Sequence, residues 1–380
     1  MRNLWKFAAT ASLAIGLAGA ASAAEPVKVG VLLPLSGSSA VSGQEILLGI
    51  KLAAEEVNAK GGVLGRQVEL MIQDDESSPT KGTSAALKLI EGDNVCAIVG
   101  TYNSDVALAE SKIAREHKVP MSSGGSTSVA VTDANTPGDP WFFRAFPGSD
   151  EQGEQSALDV VKRLGAKKLA IIADNSSYGQ SLADQFKKVT SAAGAQVLAV
   201  ESYNSGEQDF YSMLSRLKAM QPDAVYIAGL LTEGAAIIRQ SAEIGFKTRF
   251  VGSGSMMSDK FIELTGPASE GFAVSSMFEP GTPNAYGRAF NERFVKRWGH
   301  NANVFSALGF DSASIVLEAI KRAGKTDGLA IRNAMMAMKD FPLVQGPQGT
   351  MVNYDEKGGS HFKIGLAVVK NGQRELMPFE

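Results

Sequence analysis

The amino-acid sequence predicts an α/β fold of two lobes, each with a doubly wound parallel sheet covered by helices. From Val27 onward, short runs of apolar and β-branched residues alternate with longer helical patterns, and this alternation is typical of parallel sheets. The segment Asn135–Pro140 contains prolines and a glycine and interrupts the alternation. Because the alternation resumes after Phe142–Ala145, the interruption indicates the boundary between two lobes of similar build.

The first lobe is predicted from elements that follow one another between Val27 and Ser122. Strands are assigned to short apolar runs, and helices to apolar residues that recur every three or four positions. The predicted elements are strand Val27–Leu33, a helix through Ile46, Leu47, Ile50, Leu52, Ala53 and Val57, strand Val68–Gln73, helix Ala85–Ile90, strand Cys96–Gly100, helix Val106–Glu116 and strand Val119–Ser122.

The second lobe repeats this pattern, and a mostly helical segment follows it. Its predicted elements are helix Asp150–Leu164, strand Lys168–Ala173, helix Ser181–Ala193, strand Val197–Tyr203, helix Phe210–Met220, strand Ala224–Ala228, helix Leu231–Ile244 and strand Phe250–Gly252. The last third has predicted helices Tyr286–Trp298, Phe305–Arg322 and Gly328–Met338, and short strands near Gly349–Asn353 and Lys363–Val369.

The composition excludes several classes of protein. With 380 residues, of which 44% are hydrophobic, the chain buries a large core. Its 37 basic residues are balanced by 40 acidic ones, so we expect no nucleic-acid partner. The three histidines lie far apart, without acidic or cysteine neighbours at metal-ligand spacing, which argues against a metal site. Cys96, the single cysteine, is interpreted as a buried apolar residue.

Sequence motifs of common enzyme classes are missing as well. The sequence has no Walker A, G-x-S-x-G or H-E-x-x-H pattern, and no G-x-G-x-x-G follows a strand. Asp74-Asp75-Glu76 stands at a strand end and is interpreted as a structural turn, because no second acidic cluster or histidine accompanies it. We therefore expect a binding protein without a cofactor rather than an enzyme.

The first residues predict export. Arg2 and Lys6 precede the apolar run Phe7–Ala20, and Ala21-Ser22-Ala23 matches an A-x-A cleavage site, so residues 1–23 are interpreted as a cleaved signal peptide. The apolar run is too short to span a bilayer of about 30 Å. Since no cysteine directly follows the cleavage site, we expect a periplasmic protein without a lipid anchor.

Two loops after neighbouring strands carry groups suited to an anion. The first, Gly100–Asp105, leads into a helix and places Ser104 as its predicted N-cap. The unpaired N–H groups and positive dipole end of the helix hold a carboxylate together with the serine hydroxyl, although a plain capping serine is an equal alternative. The second loop, Met121–Ser128, is rich in serine and glycine, which alone also suits an ordinary turn. Both loops belong at one sheet edge, where they converge on one small anion.

Three positions in the second lobe are assigned to the same cleft. Tyr178, Leu230 and Gly254 each lie in a loop that follows a predicted strand. Ligands of open parallel sheets bind outside the carboxyl ends of the strands. We therefore expect these three loops to face the ligand.

Several motifs recur in one order along the chain. They are Val29–Gly37, Asn58–Gly65, Asp74–Pro79, Gly125–Ser128, Tyr178-Gly179 and Phe261–Gly266. Together they resemble the periplasmic substrate-binding proteins of ABC transporters in the leucine/isoleucine/valine-binding family. The resemblance covers the whole mature chain. It implies the type I periplasmic binding fold, in which two lobes joined by a hinge of three crossovers close over one small solute and deliver it to a membrane permease.

The resemblance also implies lobe boundaries and residue roles. The expected molecule is a monomer with a first lobe of residues 24–145 plus 278–360 and a second lobe of residues 146–277 plus 361–380. The family's carboxylate-binding serine falls on Ser104, and its ligand-contacting loop falls on Gly125, Ser126 and Thr127, where Thr127 contacts both ends of an amino acid. The family's second-lobe tyrosine falls on Tyr178. Tyr102, Asn103, Tyr178 and Leu230 are expected around the ligand.

Two departures from the family pattern concern the ligand. Gly254 stands where the amino-acid binders have an acid that pairs with the ligand ammonium, while Leu230 and Ser42 each replace a pocket tyrosine. An ammonium group buried without an anionic partner is unfavourable. Either another acid such as Glu233 substitutes, or the ligand is an amino-free aromatic or aliphatic carboxylate. A solute-sensing receptor component is a further alternative.

Overall fold

The computed structural model describes residues 25–377, so the predicted signal peptide and its cleavage site lie outside the described residues. The strands are β1 (Val27–Leu33), β2 (Val68–Asp74), β3 (Ile98–Gly100), β4 (Met121–Ser122), β5 (Phe142–Phe143), β6 (Lys168–Asp174), β7 (Gln196–Tyr203), β8 (Ala224–Ala228), β9 (Arg249–Gly252), β10 (Ala273–Ser276), β11 (Gly365–Lys370) and β12 (Gln373–Leu376).

The helices alternate with these strands. They are α1 (Ala40–Ala59), α2 (Pro79–Leu87), α3 (Ser104–Glu116), α4 (Val129–Asp133), α5 (Ser149–Leu158), α6 (Ser177–Ala192), α7 (Tyr211–Met220), α8 (Leu231–Glu243), α9 (Asp259–Thr265), α10 (Ala285–Trp298), α11 (Val304–Ala323) and α12 (Gly328–Ala337). Within residues 25–377, none of the helices has the length and apolar character needed to cross a membrane.

The strands form two sheets, one in each lobe. The first sheet has the order β2-β1-β3-β4-β5, and all its pairings are parallel. The second sheet has the order β12-β11-β10-β9-β8-β6-β7. Strand β1 lies between two partners and buries nearly every residue, as expected for a strand covered by helices on both faces. The two-lobe α/β prediction is confirmed.

The second sheet is mixed rather than wholly parallel. Strand β11 pairs antiparallel with β10, and β12 pairs antiparallel with β11. The hairpin from β11 to β12 turns at Asn371 and Gly372, which both have positive φ. Such a tight turn is sufficient to join two antiparallel strands, whereas parallel strands need a longer crossover. Strand β10 was missed in the sequence because Ala273–Ser276 is short and ends in two serines. The predicted strand near Gly349–Asn353 is wrong, since only an isolated bridge between Met351 and Pro342 forms there.

The chain crosses between the lobes three times. It enters the second lobe between β5 and α5, returns between β10 and α10, and crosses again before β11. Helix α11 then packs on α1 and against β3 and β4 of the first sheet. The two helix backbones approach closely at Gly309, where an added Cβ would lie 2.1 Å from the carbonyl oxygen of Ile46. Helix α11 therefore belongs to the first lobe, although it follows the strand β10 of the second sheet in the sequence.

Candidate functional site

A cleft of about 940 Å³, including the space at its opening, lies between the two lobes. Most of its lining follows the carboxyl ends of strands, where ligands of parallel sheets bind. From the first lobe and α11 come Ser38, Ser77, Pro79, Tyr102, Asn103, Ser104, Asp105, Val106, Gly125, Thr127, Val304, Phe305 and Leu308. From the second lobe and the crossovers come Gln152, Asp174, Ser176, Tyr178, Tyr203, Ser205, Leu230, Glu233, Gly254, Ser255 and Met277.

The first-lobe wall carries hydroxyl groups at the start of α3. The hydroxyl of Ser104 accepts hydrogen bonds from Ser126 Oγ at 3.1 Å and from the backbone N–H of Ser128 at 3.3 Å. Thr127 Oγ1 is buried and has no hydrogen-bond partner in the described part of the chain. A buried hydroxyl without a hydrogen-bond partner is unfavourable. The Thr127 hydroxyl is therefore a candidate to form a hydrogen bond with a ligand.

Ser104 is not the N-cap of α3, contrary to the prediction. Asn103 holds that position in an extended conformation with φ −70° and ψ 126°, and its carbonyl accepts a hydrogen bond from Ala107 N. Ser104 is therefore the first helical residue, where its own backbone N–H is among the unpaired donors of the helix start. This shift by one residue leaves both the Ser104 hydroxyl and the helix N-terminus in the cleft wall.

Gly125 lets the second loop approach the floor of the cleft. A Cβ at this position would lie 2.6 Å from Cδ2 of Tyr102, so any larger residue would push the ring or the loop away. Tyr102 is buried and packs edge-on against Phe305 of α11, with 5.7 Å between the ring centroids. Together with Val304 and Leu308, Phe305 gives this side of the cleft an apolar surface.

A buried guanidinium fixes the loop that contains Thr127. Arg144 Nη1 donates to the carbonyls of Thr127 at 3.2 Å and Ser128 at 3.4 Å, while Nε donates to the carbonyl of Phe146. Arg144 lies in the first crossover and also bonds through its backbone to Gly358 and Ser360, which precede the third crossover. Arg144 thus joins the loop that contains Thr127 to two of the crossovers, to one through its side chain and to the other through its backbone.

The second-lobe wall is acidic. Asp174 is buried, its Oδ1 accepts hydrogen bonds from the backbone and hydroxyl of Ser176, and Oδ2 has no partner within residues 25–377. Burial is the main cause that raises the pKa of Asp174 to about 6, and the nearby Glu233 and Asp105 carboxylates contribute to the increase. Glu233 is also buried, and its Oε1 accepts a hydrogen bond of 2.9 Å from Gly206 N. The residues that line the cleft include these three acids but no lysine, arginine or histidine.

Eight of the ten predicted site residues line the cleft, namely Tyr102, Asn103, Ser104, Gly125, Thr127, Tyr178, Leu230 and Gly254. Ser126 is buried behind the wall and donates to Ser104. Ser42 lies outside the main cleft and lines a smaller neighbouring pocket with Tyr102 and Leu230. Ser42 is therefore not among the residues that face the cleft.

Three functional candidates were not predicted. Gln152 lies in the first turn of α5, and Asp174 and Tyr203 are the last residues of β6 and β7. The position of Asp174 and Tyr203 at carboxyl ends of strands could have indicated them, whereas no local signal marks Gln152. Among residues 25–377, no cluster of histidine, cysteine, aspartate and glutamate is suited to a metal ion.

Comparison with known proteins agrees with this architecture. Residues 26–373 match the family described as periplasmic binding protein, and the chain belongs to that family. A Leu/Ile/Val-binding protein homolog 2 of Brucella abortus is 32% identical over 336 residues, covering 87% of each chain.

Two solved structures extend the comparison. The leucine-binding protein LivK of Thermotoga maritima has a TM-score of 0.86 and 32% identity, with 93% of this chain and 98% of that chain covered. A solute-binding protein of an ABC transporter from R. palustris, in complex with benzoate, has a TM-score of 0.84 and 25% identity, with 93% and 96% covered. The family consists of substrate-binding proteins of transporters.

Proposed function

We propose that the chain is the periplasmic solute-binding component of an ABC importer, which captures an amino acid or a closely related small carboxylate by closing its lobes. In this proposal the first lobe comprises residues 24–145 plus 278–360 and the second residues 146–277 plus 361–380, and the protein acts as a monomer without a lipid anchor. It delivers the solute to a membrane permease and catalyses no reaction. A Leu/Ile/Val-binding homolog and LivK as relatives support this proposal.

The ligand carboxylate binds at the first-lobe wall. Ser104 provides its hydroxyl at the start of α3, and the loop that contains Gly125 brings the Thr127 hydroxyl beside it. The positive end of the helix favours an anion there. The apolar surface of Val304, Phe305 and Leu308 accommodates an aliphatic side chain, as in branched-chain amino acids.

The ligand also carries a positive charge. The cleft is lined by Asp105, Asp174 and Glu233, and no basic side chain is among its lining residues. Asp174 and Glu233 are buried, whereas Asp105 is exposed. Buried carboxylates without a counter-ion are unfavourable, and an ammonium group relieves that penalty. A purely anionic ligand would add to it. We therefore favour an α-amino acid, with Glu233 as the acid that substitutes for the one missing at Gly254.

An amino-free aromatic or aliphatic carboxylate is the second candidate. The benzoate complex of the R. palustris relative and the glycine at position 254 favour it. A solute-sensing role for the same clamp is the third, and genes for permeases and ATPases beside this gene would favour transport over sensing.

Thermal melting of the ligand-free mature protein against amino acids and matched amino-free acids tests the proposal. A ligand at about 100 times its Kd adds roughly 2.7 kcal/mol to the free energy of unfolding, so the true ligand shifts Tm clearly. Glu233→Gln keeps an acceptor for Gly206 but removes the charge, so it should weaken amino-acid binding about tenfold. Stabilisation by amino-free acids alone would contradict the amino-acid assignment, and turnover of a solute would contradict the proposal as a whole.

A further inference from the structure

The space beside Gly254 is occupied by another side chain. A Cβ added at Gly254 would lie 3.2 Å from Gln152 Oε1, with Met277 Cε at 3.7 Å and the carbonyl oxygen of Ser275 at 3.8 Å. Gln152 projects from α5 and lines the ligand cleft. A polar oxygen therefore stands where the family pattern led us to expect an acid.

The orientation of the Gln152 amide is fixed by the hinge. Gln152 is 1% exposed, and its Nε2 donates a hydrogen bond of 3.1 Å to the carbonyl of Pro147 in the first crossover. A carbonyl oxygen accepts hydrogen bonds only, so the amide cannot turn over without losing this bond. The amide oxygen is consequently the atom that faces Gly254 and the cleft.

We propose that Gln152 determines specificity by accepting a hydrogen bond from the 2-amino group of the ligand. This inference rests on the proposed function and deepens it. An amide oxygen is a neutral acceptor, so its bond to an ammonium group is weaker than that of a carboxylate. The same amide oxygen accepts a hydrogen bond from a hydroxyl group at that position. The contact therefore selects ligands with a donor at carbon 2, including 2-hydroxy acids, against those without one.

Three ligands that differ at one group test the proposal. L-leucine has an amino group at carbon 2, 2-hydroxy-4-methylpentanoic acid has a hydroxyl group, and 4-methylpentanoic acid has neither. Their Kd values are measured by isothermal titration for the wild-type protein, Gln152→Leu and Gln155→Leu. Gln155 lies on the same helix, is only partly buried and does not line the cleft, so it is the matched control.

We expect Gln152→Leu to weaken binding of the two donor-bearing ligands about tenfold and to leave 4-methylpentanoic acid within about twofold. Gln155→Leu should change none of the three. If Gln152→Leu weakens all three ligands equally, its role is to hold Pro147 and the inference is overturned.

A second variant keeps the test independent of the bond to Pro147. Gly254→Ala places its Cβ against Gln152 Oε1 and displaces that oxygen by a few tenths of an ångström. It should reduce the preference for leucine over 4-methylpentanoic acid, and an unchanged preference counts against the inference. If the wild-type protein binds none of the three ligands or other amino acids, the proposed function fails and the inference fails with it. If it binds leucine but the variants leave the preference unchanged, only the inference fails.

Discussion

Asp105 Oδ1 accepts a hydrogen bond of 3.1 Å from the backbone N–H of Ser177, across the cleft between the lobes. Asp105 is the second residue of α3, and Ser177 is the first residue of α6. The carboxylate thus stands at the positive end of a helix from the opposite lobe, where a negative charge is favoured. A second bond, from Ser128 Oγ to the carbonyl of Ser177 at 3.3 Å, joins the lobes at the same place.

Replacing Asp105 should favour the open arrangement of the lobes. Asp105→Ala removes the bond to Ser177 and one acidic group of the cleft. Because this contact is exposed to solvent, we expect a loss of about 1 kcal/mol, or roughly fivefold in Kd. Titration gives the affinity, and small-angle scattering gives the compaction that ligand causes. Glu116→Ala, at the far end of the same helix, is the control, and equal compaction and affinity in both variants would refute the role of Asp105.

Removal of both hydroxyls from the first-lobe wall should abolish tight binding. Ser104→Ala combined with Thr127→Ala removes two groups assigned to the ligand carboxylate, with an expected loss of about 3 kcal/mol, or roughly a hundredfold in Kd. The control is Ser111→Ala, since Ser111 is a buried serine of the same helix that bonds to Leu108 O instead. Circular dichroism checks that the fold persists. Unchanged affinity in the double variant would disprove the carboxylate site.

Amino-acid affinity should fall between pH 7 and pH 5. The pKa of Asp174 is raised to about 6 by burial, so its carboxylate is mostly charged at pH 7 and mostly neutral at pH 5. The ligand ammonium keeps its charge over this range, and its attraction to Asp174 is lost as the pH decreases through 6. We expect a decrease of about fivefold.

Asp174→Asn isolates this effect. Asparagine does not titrate, so the variant should bind amino acids more weakly at pH 7 and with little change down to pH 5. Titration calorimetry at matched ionic strength measures both profiles. A wild-type profile that is flat, or a slope that persists in the variant, would exclude Asp174 as the titrating group.

The stability of the first lobe should depend on Glu110. Burial raises the pKa of this carboxyl well above its ordinary value, and the neighbouring Asp75, with a pKa of about 7, raises it further. When folding raises the pKa of a carboxyl, the group does not affect the free energy of unfolding at a pH below its pKa in the unfolded chain. As the pH rises from that pKa toward the pKa in the folded protein, the free energy of unfolding decreases.

Glu110→Gln should therefore raise Tm by about 3 °C at pH 8 and by less at pH 5. Calorimetry at the two pH values measures the difference. Glu116→Gln changes an exposed acid of the same helix and should leave the pH dependence as in wild type. The explanation fails if Glu110→Gln lowers Tm equally at both pH values.

Local patterns in the sequence predicted most of the fold and the first-lobe wall. Ser104, Gly125 and Thr127 were predicted to line the cleft because each lies within a few residues of a strand end, so their position depends on nearby residues. Gln152 was not predicted, because its amide oxygen lies beside Gly254, which is about a hundred residues away and in another element. The interpretation of Asp74-Asp75-Glu76 as a turn agrees with the structure, where Asp74 accepts hydrogen bonds from Leu35 N and Glu76 N. The placement of Ser42 in the cleft was wrong. Ser42 lies near the start of α1 and lines the smaller pocket beside Tyr102 and Leu230 instead.

The packing of α11 on α1 imposes an order on the maturation of the chain. A nascent chain that extends only to Ser276 already contains every strand of the first sheet, but the helix that covers β3 and β4 has not been made. Phe305 and Leu308, which line the ligand cleft, are also still missing. The protein therefore gains its ability to hold a solute only late in synthesis, when α11 folds back on the part made first.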